Sequence, residues 1–182
     1  MSESEPEPIG YPAVVRAATA GDHAAFEQLM RLHDHSLRLL ARRMVGNSAN
    51  DVLQDSYLKI FAKLPAFRPD EGSLRVWLHR VVYRSCLDEL RRRRRTPDPV
   101  PADTIADAVA DPTLTIDLAD AMRNALERLS PERRTVVVLV AVLGFDYRDA
   151  SEVLGVPEGT VASRMSSARR QLREALTNEF EE

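Results

Sequence analysis

Apolar residues recur three or four positions apart along most of this chain, a spacing that places them on one face of an α-helix. No segment alternates apolar and polar residues for long enough to predict a β-strand. The first predicted helix is followed by Gly46 and Asn47, which both tolerate the left-handed conformation that ends helices. Its apolar face comprises Phe26, Leu29, Met30, Leu37, Leu40, Ala41 and Met44. The pattern predicts an all-α fold.

A second helix is predicted from about Ala49 to Leu64, where Pro65 ends it and a loop over residues 65–72 begins. The residues expected to point inward are Val52, Leu53, Ile60, Phe61 and Leu64. The residues expected to face solvent are Asp51, Gln54, Asp55 and Lys59. Two acids and an amide on an exposed ridge can pair with basic side chains of a partner, although a solvated helix face explains the same pattern.

A third helix is predicted from Leu74 to Leu90, with Ser73 as its N-terminal cap. Its expected apolar stripe comprises Leu74, Trp77, Leu78, Val81, Leu87 and Leu90. The helix runs directly into five consecutive arginines, Arg91–Arg95. Because like charges packed this closely repel one another, the run favours an anionic partner over a plain solvated helix end.

Residues 96–113 are predicted to be a flexible acidic linker. They contain four prolines, four aspartates and no Lys or Arg, and prolines at this density oppose regular structure. The acidity is either a solvating feature or a mimic of nucleic acid. The linker separates a first helical domain (residues 20–95) from a second (residues 114–178), and flexible ends are expected over residues 1–19 and 179–182.

The second domain contains the signature of a helix-turn-helix. A helix begins at Ser130-Pro131, carries the apolar run Val136–Leu143, and ends at Gly144. The segment 146–164 then reads as a short helix, a tight turn at Gly155-Val156-Pro157 and a second helix, the unit that lays a helix into the major groove of DNA. The inward residues are expected to be Ala150, Val153, Leu154, Val161 and Met165, and those left to approach DNA are Thr160, Ser163, Arg164 and Ser167.

The charge distribution supports binding to a polyanion, although the net charge of the 182-residue chain is −3. Residues 21–95 hold 15 Lys/Arg against 9 Asp/Glu, so the first domain is locally basic. No Gly-rich phosphate loop and no catalytic triad can be placed, and scattered histidines with one cysteine argue against zinc. Cys86 is expected to be a small buried residue, with a redox sensor beside arginines as the alternative.

The motif series resembles the extracytoplasmic-function (ECF, group IV) sigma factors of the sigma-70 family, which are specificity subunits of bacterial RNA polymerase. The matching stretches are Asp51–Leu58, Trp77–Arg80, Leu87–Arg92, Leu129–Arg133 and Gly159–Arg164. The resemblance covers about Ala20 to Leu176. It implies a region 2-like bundle and a region 4-like helix-turn-helix, promoter-specific transcription initiation, no enzymatic activity, and no cofactor or metal.

The resemblance also implies roles for individual residues of the first domain. Core RNA polymerase would be bound through its clamp helices by Asp51, Gln54, Asp55 and Lys59. The −10 promoter element would be opened and held by Phe67, Arg68, Trp77, Arg80, Arg84, Asp88, Arg91 and Arg92. A lone Trp on an apolar face is more often a core residue, so both readings of Trp77 stay open.

In the second domain, Thr160, Ser163, Arg164 and Ser167 would read the −35 element, and apolar surface near Val136–Leu143 would bind the flap tip. Arg84 stands where the family usually has Asn, and Ala162 and Ser167 where it often has basic residues, which implies a distinct promoter preference. One cysteine and no apolar run long enough to cross a bilayer predict a cytoplasmic protein that inserts in no membrane. The chain is also expected to be monomeric when free, and the resemblance implies that an anti-sigma factor holds it. A dimeric helix-turn-helix regulator and a helical adaptor are the alternatives.

Overall fold

The computed structural model describes residues 10–95 and 116–180, and every regular element in these ranges is helical. The first unit consists of α1 (Tyr11–Thr19), α2 (His23–Val45), α3 (Ala49–Lys63) and α4 (Leu74–Arg95). The second consists of α5 (Ile116–Glu127), α6 (Pro131–Val137), α7 (Tyr147–Leu154) and α8 (Glu158–Phe180). The all-α prediction is confirmed, and the predicted linker lies outside the described residues.

Local capping signals set the ends of α2. The Asp22 carboxylate accepts a hydrogen bond from the backbone N–H of Ala25 at 2.9 Å, which satisfies a donor of the first helical turn. At the other end Gly46 has φ 58°, a conformation that L side chains rarely adopt. The predicted end of this helix at Gly46 is therefore confirmed.

Helix α1 differs from the expectation of a flexible end over residues 1–19. Residues 1–9 lie outside the described residues, but Tyr11, Val15 and Ala18 are buried against the core from one face of α1. The Tyr11 hydroxyl also lies 2.8 Å from Nε2 of His33 in α2. The overall composition of residues 1–19 is acidic and rich in proline, and it gave no indication of this short apolar face. Composition does not record which residues lie on the same face of a helix.

The inward face of α3 is largely as predicted. Val52, Leu53, Ile60 and Leu64 are buried, but Phe61 is 40% exposed, so its predicted burial is wrong. Phe61 rests at the edge of the core, its ring centroid 5.0 Å from that of Phe26.

Helix α4 continues through Arg95 and buries more of its circumference than one stripe. Leu74 and Leu78 are buried as predicted, whereas Trp77, Val81, Leu87 and Leu90 are only half-buried. Val76, His79, Val82, Ser85 and Cys86 are buried instead. The reason is that α4 is covered on two sides, by α2 and α3 of its own unit and by α7 of the second unit.

His79 is fully buried where α4 meets the second unit. Its Nδ1 donates a hydrogen bond to the carbonyl oxygen of Arg75 at 2.8 Å, and its ring meets that of Phe145 edge-on at 4.9 Å between centroids. Its Nε2 has no hydrogen-bond partner within the described part of the chain. Burial lowers the pKa of His79 from 6.5 to about 3, so the imidazole is neutral in the folded protein.

We expect the free energy of unfolding to fall as the solution is acidified from about pH 7.5 to about pH 5. In this range the histidines of the unfolded chain become protonated, whereas the buried imidazoles of the folded protein stay neutral. His79 and His33, whose pKa burial and the charge of Arg75 lower to about 4, each contribute roughly 2 kcal/mol to this loss. His79→Asn, which keeps a donor for the Arg75 carbonyl, should give a shallower pH slope in urea unfolding. His23→Asn, at an exposed position, is the matched control. An unchanged slope in His79→Asn would contradict the assignment.

The second unit starts as the Ser130-Pro131 signal predicts. The Ser130 hydroxyl accepts a hydrogen bond from the backbone N–H of Arg133 at 3.4 Å, and α6 begins at Pro131. One π-helical turn over Val138–Val142 extends α6, with the N–H of Leu143 donating to the carbonyl of Val138 at 2.9 Å. Gly144 then breaks the helix, as predicted.

The buried apolar side chains of the two units form one continuous cluster. The contact between α4 and α7 is the most extensive between the units, and α2 also touches α6. This packing was not predicted from the sequence. It brings residues of the two predicted DNA-contacting surfaces within reach of one another.

Candidate nucleic-acid interface

Helices α7 and α8 and the turn between them have the geometry of a helix-turn-helix. The Asp146 carboxylate caps α7 by accepting from the N–H of Asp149 at 2.7 Å. Gly155 ends α7 in the left-handed conformation (φ 67°, ψ 36°), where a residue with a side chain would be strained. Pro157 immediately precedes α8, and its carbonyl accepts from the N–H of Thr160 at 2.9 Å. The predicted helix–turn–helix is confirmed.

The interior of this motif is also as predicted, since all five expected inward residues are buried: Ala150, Val153, Leu154, Val161 and Met165. On the outer side of α8, Ser163 is exposed, and Thr160, Arg164 and Ser167 are partly exposed. Arg164 lies within electrostatic reach of Tyr83 in α4 and of Glu132 in α6. The candidate reading face is therefore presented by α8 but lies near the first unit.

An aromatic pair lines a pocket beside the N-terminal part of α4. The rings of Phe67 and Trp77 are tilted by 49° with their centroids 5.6 Å apart, and both are half-buried. Arg68, which follows Phe67 in the chain, is exposed. The open pocket has a volume of about 180 Å³, and Glu152 of α7 also contributes to its wall. Trp77 thus packs against a neighbour on one side and borders open space on the other.

The remaining candidates of α4 follow one side of the helix. The guanidinium of Arg80 contacts Glu152 of the second unit, and Arg84 is exposed. Asp88 pairs with Arg91 at 3.2 Å near the end of an open groove of about 370 Å³ between α4 and α7. The structure therefore places Arg80, Arg84, Asp88 and Arg91 along one side of α4.

Glu89 organises part of the arginine run. It accepts hydrogen bonds from Arg92 at 2.8 and 3.0 Å and from Arg93 at 2.8 Å. These bonds, the one from Arg92 first, lower the pKa of Glu89 to about 2. Arg93 also donates to the carbonyl oxygen of Val45 at 2.8 Å, so it anchors the end of α4 to α2. The arginines of the run therefore differ in their surroundings: Arg93 is half-buried against α2, whereas Arg91, Arg94 and Arg95 are exposed.

The polar face of α3 is presented to solvent as predicted. Asp51, Gln54, Asp55 and Lys59 are all exposed. The Nζ of Lys59 also donates a hydrogen bond to the Ser85 hydroxyl of α4 at 3.0 Å. Leu58 lies on the same helix and is 67% exposed. Sequence reasoning missed Leu58, although an apolar residue amid a polar helical face was a signal that could have found it.

Other residues at the junction of the units were missed altogether. Arg75 donates a hydrogen bond to the carbonyl oxygen of Leu143, and its guanidinium lies 4.2 Å from the centre of the Phe145 ring. Glu152 meets Arg80 across the same junction. No signal in the sequence pairs these residues, because charged residues on amphipathic helices are ordinarily solvated.

Three further observations concern the cysteine, metal binding and membrane-spanning helices. Burial raises the pKa of the Cys86 thiol to about 12, which disfavours the reactive thiolate. Among the described residues, no three His, Cys, Asp or Glu side chains converge as a metal site. No helix within residues 10–95 and 116–180 has both the length and the apolar character to span a membrane.

A helix-turn-helix and a basic helix with an aromatic pocket define the chain as a two-unit helical DNA-binding protein. The family models "Sigma-70 region 2" and "Sigma-70, region 4" match residues 29–96 and 119–172. The ECF RNA polymerase sigma factor SigM of Mycobacterium tuberculosis is 40% identical over 187 aligned positions, covering 94% of each chain. The ECF sigma factor SigE of Mycolicibacterium smegmatis is 34% identical over 99% of this chain and 72% of its own length.

Solved structures agree with this assignment. The sigma factor RpoE of Bartonella quintana, in complex with the anti-sigma factor NepR, superposes with a TM-score of 0.71 at 31% identity, over 84% of this chain and 96% of that one. CnrH, in complex with the cytosolic domain of CnrY, superposes with a TM-score of 0.67 at 26% identity, over 91% of this chain. The chain belongs to the ECF RNA polymerase sigma factors. It is a non-enzymatic subunit that directs promoter-specific transcription initiation.

Proposed function

We propose that the two units of this sigma factor divide promoter recognition between them, with residues 20–95 acting on the −10 element and residues 114–178 reading the −35 element. The observation that carries this division is the presence of a basic helix beside an aromatic pocket in one unit and a helix-turn-helix in the other. Duplex reading and base capture need different surfaces, because one requires a helix in a groove and the other an unstacked base in a pocket.

In the first unit, Phe67 and Trp77 receive an unstacked base, with Arg68 and Arg80 close enough to hold the backbone phosphates around it. An aromatic wall supports this role, because stacking on a side chain offsets the loss of base stacking in the duplex. Arg84, Asp88, Arg91 and Arg92 extend the same surface along α4 toward the next nucleotides.

In the second unit, the outer side of α8 enters the major groove. Arg164 contacts a guanine edge or a phosphate, and Thr160, Ser163 and Ser167 donate hydroxyl hydrogen bonds. The small side chains at Ala162 and Ser167 provide fewer phosphate contacts than basic residues would, so we expect a shallow salt dependence for this unit.

We expect Arg164→Ala to lower run-off transcription from a −35-dependent promoter by roughly 10- to 100-fold, because a guanine or phosphate contact is lost. The matched control is Arg173→Ala, an exposed arginine farther along α8. Binding to core polymerase should be unchanged in both variants. Equal activity of Arg164→Ala and wild type would remove Arg164 from the reading face.

Core RNA polymerase is bound at two places. The exposed α3 residues Asp51, Gln54 and Asp55, with Lys59 beside them, meet the clamp helices. The flap tip meets the π-helical turn after α6, where Val142 is 48% exposed while Val136 and Val138 are buried. A large apolar side chain exposed at the end of a largely buried apolar run supports a contact with an apolar partner.

An anti-sigma factor holds this chain before induction, as NepR and CnrY bind the structurally similar RpoE and CnrH. The free protein is a monomer and acts in the cytoplasm, where the bacterial polymerase and chromosome lie.

Run-off transcription and gel filtration with core polymerase test the whole proposal. Co-elution with core and promoter-dependent transcripts are expected. Dimers that bind duplex DNA tightly without core would instead favour a stand-alone helix-turn-helix regulator.

A further inference from the structure

A polar network joins α2 to α3 beside the face of α3 that is proposed to bind core polymerase. The Asp34 carboxylate accepts two hydrogen bonds from Arg38, one turn later on α2, at 2.9 and 3.2 Å. The same carboxylate accepts a hydrogen bond from the Tyr57 hydroxyl of α3 at 2.7 Å. Arg38 in turn donates to the amide oxygen of Asn50, in the first turn of α3, at 2.9 Å. Two residues of α2 therefore hold α3 at two points about two helical turns apart.

The groups of this network are in the protonation states that its hydrogen bonds require. The bonds from Arg38 are the main cause that lowers the pKa of Asp34, so the carboxylate stays ionised and accepts. Burial, followed by the bond to Asp34, raises the pKa of the Tyr57 hydroxyl, which therefore keeps its proton and donates. A guanidinium that donates two hydrogen bonds to one carboxylate also fixes the relative orientation of the two groups.

The positions of Asn50 and Tyr57 on α3 show what the network controls. Residues seven apart lie on one stripe of a helix, and this stripe follows the border between the buried and exposed sides of α3. Gln54 lies between the two along the stripe. Asp51 and Asp55 follow on the exposed side, about 100° and 140° around the helix from Asn50. The network therefore holds one edge of the proposed polymerase-binding face.

The opposite edge of this face is tied to α4. Lys59 lies about 180° around α3 from Asn50, and its Nζ donates to the Ser85 hydroxyl at 3.0 Å. On the far side of α3 the contacts are apolar, and burial of apolar area has no directional preference. Hydrogen bonds are directional, so the polar contacts at the two edges select one rotation of α3 about its axis. The buried apolar residues of α3 include Val52, Leu53 and Ile60.

We propose that Asp34 is a positioning residue for polymerase binding, which acts through Arg38 and Tyr57. It sets the rotation of α3, and so the direction in which Asp51 and Asp55 face the polymerase. The inference rests on the proposed contact between α3 and core polymerase. A rotation of about 20° would move a carboxylate at the roughly 6 Å radius of the helix side chains by about 2 Å. A displacement of this size breaks a hydrogen bond to a partner.

The network contributes more to the orientation of α3 than to the stability of the fold. The side chains of Arg38 and Asp34 remain 37% and 39% exposed, and ion pairs this exposed add little to the free energy of unfolding. Loss of the network should therefore change the affinity for polymerase more than it changes resistance to urea.

The dissociation constants of full-length variants for core RNA polymerase test this role. Asp34→Ala removes the central acceptor, and Tyr57→Phe removes one hydroxyl but leaves the ring and both charges of the network in place. The control for Asp34→Ala is Glu27→Ala, since Glu27 forms a salt bridge with Arg31 at the same spacing but within α2. The control for Tyr57→Phe is Tyr147→Phe, at a half-buried tyrosine of α7.

We expect Asp34→Ala to bind core polymerase about tenfold more weakly than wild type, and Tyr57→Phe about threefold more weakly, because hydrogen bonds to a charged group are lost. Both controls should bind within about twofold of wild type. Urea unfolding followed by circular dichroism gives the folded fraction of each variant. Tyr57→Phe decides the matter if Asp34→Ala does not fold. Wild-type affinity of Asp34→Ala and Tyr57→Phe, or equal weakening by the controls, would overturn the role.

A double-mutant cycle distinguishes positioning from a separate contact of Asp34 with polymerase. The background is Asp51→Ala with Asp55→Ala, in which the oriented carboxylates are absent. Asp34→Ala should then weaken binding by less than about threefold, because residues that act together are not additive. A full tenfold loss in this background would overturn the positioning role. Wild-type binding by the background protein itself would remove the proposed polymerase contact of α3, so the two failures are seen separately.

Discussion

Asp51→Lys combined with Asp55→Lys is expected to weaken binding of this sigma factor to core RNA polymerase by at least roughly 100-fold, because like charges set against a basic partner surface cost several kcal/mol. Both carboxylates are exposed on one face of α3, with Gln54 between them. The measurement is the dissociation constant for core enzyme by fluorescence anisotropy, with run-off transcription as a second readout. Transcription should be lost at protein concentrations that saturate wild type.

The control for this variant carries the same four-unit change of charge elsewhere. Glu127→Lys with Glu174→Lys alters exposed positions of the second unit and should bind core normally. Asp51 lies in the first turn of α3, where reversal of its charge also costs the helix about 0.5 kcal/mol, so thermal unfolding must show that the variant is folded. Equal weakening by both variants would mean that net charge, and not this face of α3, governs binding.

Phe67→Ala combined with Arg68→Ala is expected to reduce promoter opening by roughly 30- to 1000-fold, because a base-stacking contact of about 1–3 kcal/mol and a phosphate contact are lost together. Phe67 is half-buried against Trp77, and Arg68 is exposed beside it. The readout is permanganate reactivity of unpaired thymines in the −10 region. Binding to core polymerase should remain at the wild-type level.

A template already unpaired over the −10 region separates base capture from a general defect. Part of the loss should be recovered on this template, since the free energy of unstacking no longer has to be supplied. Asp70→Ala, in the same loop, is the matched control and should open the duplex template normally. A full defect on both templates with normal core binding would place Phe67 and Arg68 outside base capture.

The candidate site was predictable where it rests on local patterns. The exposure of Asp51, Gln54 and Asp55 follows from helical periodicity, and the helix-turn-helix follows from Gly155 and its buried neighbours. Phe61 and α1 show where such reasoning fails. Phe61 lies at the margin of the apolar face of α3, where a small rotation of the helix decides whether the side chain is exposed. Helix α1 has too few apolar residues for a helical periodicity to be recognised within an acidic segment.

Local sequence patterns were sufficient to predict α2, α3, α6, α7, α8, the arginine run and the candidate reading face of α8, because each depends on residues within about one or two helical turns. The packing of α7 on α4, the burial of His79 against Phe145 and the contact between Arg80 and Glu152 were found only in the three-dimensional structure. The two residues of that last pair are 72 positions apart. Contacts at such separation depend on how whole helical faces fit together, and a one-dimensional pattern does not contain that fit.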